Sequence, residues 1–196
     1  MTLDVLFREL SMICDASRAI EALARRTLLT HADAARTLSV HSKRLPKGFD
    51  KVLQAPDAHP VCTQIKSCDL PWSVPETSDD PLYRAHSQTK RSVELIGPSG
   101  LIRSSELRLG LYGILPRSDY GFRTHPAEEV FIMLAGRADW AKGDDGYKTL
   151  GPGARAFHPS GMRHATRTRD HAFMSLYIWR GDLSFDAYVY AGRGDP

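Results

Sequence analysis

From Ser92 onward, short apolar runs alternate with Gly, Pro and Asp turns at regular intervals. The clearest runs are Val93 to Ile96, Leu107 to Leu115, Val130 to Leu134, Ala138 to Ala141, Ala154 to Phe157, His164 to Thr168 and Phe173 to Trp179. Many short strands at even spacing confine such a chain to a β-sandwich or a barrel. The run Val130-Phe131-Ile132-Met133-Leu134 is apolar throughout. It fits a strand covered on both faces, although periodicity alone leaves a helix open. Residues 91–196 are therefore expected to form the β-barrel.

The first half has a different character. Residues 1–55 read as a helical segment, with Leu3, Leu6, Phe7, Leu10 and Ile13 at helical spacing. Thr2 or Asp4 is placed to cap that first helix. A second helix is expected over Ala16 to Leu28 and a third over Thr30 to Leu38. Residues 56–90 read as a loop-rich connection, because Pro56, Pro60, Pro71, Pro75 and Pro81 interrupt any long helix or central strand. The helices are compatible with packing on their own barrel or on a second copy in a homodimer. One structural domain is expected overall.

Composition excludes several classes. The net charge is +3 over 196 residues, and no block of five or six like charges occurs, so a nucleic-acid partner is not expected. The most basic stretch, Arg163 to Arg169, alternates like the polar face of a strand. No run approaches the roughly 18 apolar residues of a membrane span. Cys14, Cys62 and Cys68 are too few and too scattered for a disulfide framework or a zinc knuckle. The acidic, amphipathic N-terminus lacks the form of a signal peptide. These features together make a cytoplasmic protein with reduced thiols the expectation.

Two motifs carry the chemistry. The first runs Arg123-Thr124-His125-Pro126-Ala127-Glu128-Glu129, with Gly136 following. The second is Gly153, five residues, Pro159-Ser160-Gly161, two residues, His164. Imidazole nitrogen and carboxylate oxygen suit a divalent first-row metal. His125 and Glu129 can converge if the chain bends at Pro126. Alternation then puts Glu129, Phe131 and Met133 on one face and Val130, Ile132 and Leu134 on the other. Three protein ligands, His125, Glu129 and His164, leave positions open for water or substrate, as in a catalytic site. Zn, Fe, Mn, Ni and Co all remain open as the metal.

These motifs resemble those of the cupin superfamily, usually Gly-x5-His-x-His-x3 or x4-Glu-x6-Gly and Gly-x5-Pro-x-Gly-x2-His. The resemblance implies a mainly β fold, the double-stranded β-helix or jelly-roll barrel. The second motif matches completely. The first departs at Arg123, in the place of a histidine, and at Arg117, in the place of a glycine.

More of the chain, from about Glu94 to Leu183, is similar to one branch, the cupin-type dimethylsulfoniopropionate (DMSP) lyases. The shared blocks include Glu94 to Pro98, Tyr120, Ala127 to Glu129, Leu134 to Trp140, His158 to Ser160, His164 to Thr168 and Leu176 to Leu183. The resemblance implies a metal-dependent carbon–sulfur lyase that cleaves DMSP to dimethyl sulfide and acrylate by β-elimination. It also implies a tyrosine two residues after the glutamate, where this chain has Phe131.

Tyr120 is then the expected catalytic base, or else a tyrosine packing the barrel rim. Arg123 cannot ligate a metal, because guanidinium has no lone pair to give. It either clamps a substrate carboxylate or turns to the surface to pair with Glu128. Phe131, Tyr177 and Trp179 are the other expected substrate-binding residues. Tyr177 and Trp179 offer cation–π faces to a sulfonium, with a place in the barrel core as the alternative. His158 is either a partner of a ligand or a turn residue. Two further functions stay open: a related cupin acting on another small carboxylate, and a metal-binding cupin with little or no lyase activity.

Overall fold

A computed structural model describes residues 2–192. Five α-helices precede the strands: α1 (Leu3–Ile13), α2 (Ala19–Ala35), α3 (Asp50–Leu53), α4 (Val61–Ser67) and α5 (Pro81–Ser87). Eleven strands follow. They are β1 (Lys90–Gly97), β2 (Ile102–Arg103), β3 (Leu107–Ile114), β4 (Asp119–Thr124), β5 (Glu128–Gly136), β6 (Ala138–Lys142), β7 (Lys148–Leu150), β8 (Arg155–His158), β9 (His164–Arg167), β10 (Phe173–Arg180) and β11 (Val189–Gly192).

The helical half differs from expectation in three ways. The expected second and third helices are one helix, α2. Ile20, Ala24, Leu28, Ala32 and Ala35 form one unbroken buried stripe, and no Gly or Pro interrupts it, so nothing stops the helix at Thr30. Residues 36–46 are not helical. The connection 56–90 contains α4 and α5, because its prolines start helices rather than break them. Pro60 directly precedes α4. Pro81 is the first residue of α5, where its missing N–H is no loss, and the Asp80 side chain accepts from the Tyr83 amide at 2.8 Å. Thr2 stands at the start of α1 without a side-chain capping bond.

The strands form two sheets. The larger has the order β2-β1-β3-β10-β5-β8, and the smaller β11-β4-β9-β6-β7. Every pairing is antiparallel except the short β1/β2 pair. Alternation along β5 divides the core as expected. Val130, Ile132 and Leu134 join the cluster shared with Leu6, Phe7, Leu28 and Phe49 of the helical half. Phe131 and Met133 face the barrel interior with Tyr112, Tyr120, Trp140 and Phe173. The larger sheet is thus covered by helices on one face and by the lumen on the other, which is why β5 reads as a continuous apolar run. This is the cupin barrel, mainly β, with α5 against β4 and β11 of the smaller sheet and α2, α3 and α4 against the larger sheet.

One ion pair fastens the helices to that sheet. Glu21 of α2, fully buried, takes a fork of bonds from Arg155 of β8, at 2.9 and 3.1 Å from Nε and 3.0 Å from Nη2. Arg155 also donates to the Ile13 carbonyl at 2.9 Å. The motif glycines have a backbone cause. Gly136 takes φ +71°, and a Cβ there would lie 2.0 Å from the Ala172 carbonyl oxygen. Arg117 takes φ +54°, a left-handed value, where the cupin motif has the residue that adopts it without strain.

Candidate metal centre and cavity

The candidate metal-binding side chains come from three places at one end of the barrel. His125 lies in the short turn between β4 and β5, Glu129 near the start of β5 and His164 at the start of β9. The two motifs are stitched together directly, since the Gly161 amide donates to the His125 carbonyl at 2.9 Å. Gly161 itself has φ +73°. All three side chains are buried, and their ligand atoms lie within 4.8 Å of one another. Glu129 Oε2 is 3.1 Å from His164 Nε2 and 3.6 Å from His125 Nε2. A metal with bonds of about 2.0–2.2 Å holds two donors at most roughly 4.4 Å apart, so both carboxylate–imidazole separations fit.

The tautomers fit as well. His125 Nδ1 is 3.0 Å from the Ala127 carbonyl and His164 Nδ1 2.7 Å from the Met162 carbonyl. A carbonyl only accepts, so both Nδ1 atoms carry the proton and both Nε2 lone pairs face Glu129. Neither Nε2 has a hydrogen-bond partner. Burial, then the Arg123 charge, pushes His164 down to about 3, so its ring is neutral. Burial works to raise Glu129, but the imidazoles of His125, His158 and His164 around it hold it well below the usual carboxylate range. Two lone pairs aimed at a carboxylate repel unless a cation lies between them. The residues present therefore fit a divalent metal.

Two neighbours orient the carboxylate. Trp179 Nε1 donates to Oε1 at 2.5 Å, and His158 Nδ1 stands 2.9 Å from Oε2. Cross-strand pairing brings them there: Glu129 is opposite Trp179 on β10 and opposite His158 on β8. His158 thus contacts Glu129 instead of serving the turn alone, and its ring stacks on His164 at 4.0 Å. Trp179 also stacks on His125 at 4.1 Å.

A cavity of about 580 Å³ opens beside the centre. Its lining includes Glu129, Phe131, Tyr112, Tyr120, Tyr177 and Trp179. Phe185 reaches the rim from the segment after β10, held by the Arg108 guanidinium 4.1 Å over its ring. Tyr120, Phe131, Tyr177 and Trp179 thus meet at one cavity, and Tyr177 and Trp179 line it rather than filling the core alone.

Arg123 corrects one alternative. It does not reach Glu128 on the surface. Glu128 pairs with Arg180, at 2.9 Å from Nε, while Arg123 is 2% exposed. The reason is a register shift in β4 between Tyr120 and Arg123. Residues three apart on a regular strand face opposite ways, but a bulge resets the alternation. The Arg123 guanidinium consequently lies 3.7 Å over the Tyr120 ring. Its bonds go to the Tyr120 and Gly121 carbonyls at 3.3 and 3.5 Å and to Thr166 Oγ1 at 3.4 Å. The Tyr120 hydroxyl shares a 2.7 Å bond with that of Tyr188, and either oxygen can donate. Burial pushes Tyr120 well above the usual phenol range, with the Arg123 charge working against it.

Sequence reasoning missed Lys90, Tyr112 and Tyr188. Tyr112 was readable, because Arg108, Gly110 and Tyr112 alternate along β3 on the face that meets the cavity. Lys90 and Tyr188 carry no comparable signal.

Comparison with known proteins agrees with this architecture. The profile of the DMSP lyase (dimethylsulfoniopropionate lyase) family matches residues 22–175. The DMSP lyase DddQ of Ruegeria pomeroyi is 45% identical over 89 residues, which span 45% of this chain and 44% of that protein. The matched stretch is therefore less than half of that relative's length. The crystal structure of DddQ from Ruegeria pomeroyi DSS-3 superposes with a TM-score of 0.65 at 27% identity, covering 98% of this chain and 100% of that one. A crystal structure from work on the DMSP lyases RdDddP and RnDddQII shares the fold, with a TM-score of 0.63 at 20% identity over 96% of this chain and 99% of that one. With its profile match extending over most of the sequence, the chain belongs to the DMSP lyase family.

Proposed function

We propose that this protein is a metal-dependent carbon–sulfur lyase that cleaves DMSP into dimethyl sulfide and acrylate. The observation that carries the reading is the convergence of His125, Glu129 and His164, with unpartnered Nε2 atoms, beside an aromatic cavity in a chain of this family. A divalent metal held by these side chains supplies Lewis-acid stabilisation of the charge that builds on the substrate carboxylate. The protein's own groups do the rest. Arg123, buried and without an ion-pair partner among the described residues, attracts the carboxylate end. Phe131, Tyr177 and Trp179 give the sulfonium end apolar walls and cation–π faces.

Tyr120 is the proposed base. It takes the proton from the carbon next to the carboxylate. The C–H pair becomes the new double bond, the C–S bond breaks, and dimethyl sulfide leaves with that bond's electrons. The Arg123 charge over its ring favours the phenolate. The substrate is a small carboxylate, with no nucleic acid or membrane surface required, and a homodimer is an assembly open to measurement.

Headspace dimethyl sulfide tests the reading, with protein loaded separately with Zn, Fe(II), Mn, Ni or Co. Release from at least one loaded form, abolished in His164→Ala and lowered at least 100-fold in Tyr120→Phe, is expected. Absence of release from every folded, metal-loaded form removes the lyase reading. Near-wild-type Tyr120→Phe removes Tyr120 as base. If metal binds without release, turnover of another small carboxylate becomes the better reading, which the buried Arg123 favours.

A further inference from the structure

Three buried donors around the Tyr120 ring lack acceptors that match them. The Arg123 guanidinium has only neutral partners at 3.3–3.5 Å, long for a charged donor. Lys90 is fully buried, and its Nζ has no hydrogen-bond partner. The Tyr112 hydroxyl is also buried and unpartnered. All three attach to one place. Arg123 Cζ and Lys90 Nζ each stand 3.7 Å from the Tyr120 ring centroid, so they are at most twice that distance apart. The Tyr112 ring stacks on Tyr120 at 5.9 Å. Tyr112 and Tyr120 both line the cavity. A native interior leaves few donors unmet, and three on one ring ask for a common explanation.

We propose that Lys90, Tyr112 and Arg123 form an anion subsite around Tyr120, next to the cavity that Tyr112 and Tyr120 line. It takes the carboxylate of a small monocarboxylate, independently of His125, Glu129 and His164. The ligand class rests on the lyase reading; the subsite rests on the unmet donors. A carboxylate offers about four lone-pair sites on two oxygens, and the three groups offer it guanidinium, amine and phenol N–H and O–H bonds. Two cationic centres in the subsite also orient a sulfonium carboxylate, sending its positive end toward Tyr177, Trp179 and Phe185.

The empty subsite keeps one of its cations uncharged. Burial and then the Arg123 charge lower Lys90 to about 6. The groups facing Lys90 Nζ are Tyr83 of α5, Tyr120 and Arg123 of β4, and Tyr190 of β11, none of them an anion. An arriving carboxylate reverses that balance, so Lys90 takes up a proton as the ligand binds.

Calorimetry with propionate, which has no leaving group, tests this on metal-loaded protein and on the same protein after chelation. One propionate per chain is expected in both forms. Tyr112→Phe and Lys90→Met each weaken binding about tenfold, while Tyr112→Phe keeps or raises the melting midpoint because it removes an unmet hydroxyl. At pH 8, titrations in buffers of different ionisation heat show proton uptake in the wild type and none in Lys90→Met. Wild-type affinity in either variant, or binding only when metal is present, overturns the subsite. Propionate binding with these dependences but no dimethyl sulfide release keeps the subsite and removes the lyase reading. Release with unweakened variants does the reverse.

Discussion

At the scale of single residues, this chain departs from the cupin pattern at positions whose consequences differ. Arg117 is a backbone departure. Its φ of +54° lies where a side chain costs roughly 1 kcal/mol, and its amide still bonds the Arg169 carbonyl at 2.7 Å. Arg117→Gly is expected to stabilise the protein by about 0.5–1 kcal/mol, raising the urea midpoint; a lowered midpoint contradicts it. Arg123 is a chemical departure. A lone-pair donor is replaced by a fixed cation, and the bulge in β4 turns that cation inward. The grouping of His125, Glu129 and His164 was legible because motif spacing reflects turns that only certain residues can make, as Gly136 and Gly161 show with their positive φ. The direction of Arg123 was not legible, because a one-residue register shift has no signature in side-chain alternation.

At the scale of elements, the strands followed from their patterns better than the helices did. Each of the seven expected runs falls on a strand, three of them overrunning it by one residue, while β2, β4, β7 and β11 went unnamed. Three of these are only two to four residues long, and β4, DYGFRT, is polar enough to read as a turn. The joint between helices and barrel was invisible for a different reason. Glu21 and Arg155 are 134 positions apart, and no local pattern announces such a pair. Leaving Arg155 without its buried carboxylate partner is costly, so Glu21→Gln is expected to lower the unfolding free energy by about 3 kcal/mol. An unchanged urea midpoint shows that α2 does not depend on that pair.

At the scale of the whole molecule, the buried ionisable groups set the pH response. Lys90 has a folded value of about 6, far below its ordinary 10.5. Between those values the unfolded chain binds the proton and the folded one does not, so stability rises with pH across that window. Its benefit is complete above the unfolded value and is lost as pH falls through the folded one. The slope expected from one such group is at most about 1.4 kcal/mol per pH unit. Lys90→Met removes this contribution, so its stability should vary less between pH 7 and 9.5 than that of the wild type. Equal slopes contradict the placement of Lys90 in the empty protein. His164 acts in the same sense at lower pH: its folded value of about 3 lies below the ordinary 6.5, so the metal-free protein loses stability as pH falls from 6.5 toward 3.

Both the two-sheeted barrel and the family membership lead to one claim, that His125, Glu129 and His164 hold a divalent ion at the cavity. Metal stoichiometry by mass spectrometry on the folded protein, alongside Glu129→Gln and His164→Ala, tests it most directly. The account predicts one ion per chain in the wild type and a loss of at least tenfold in affinity in each variant. A folded wild-type protein that takes up no ion, or variants that bind it as tightly, contradicts the account.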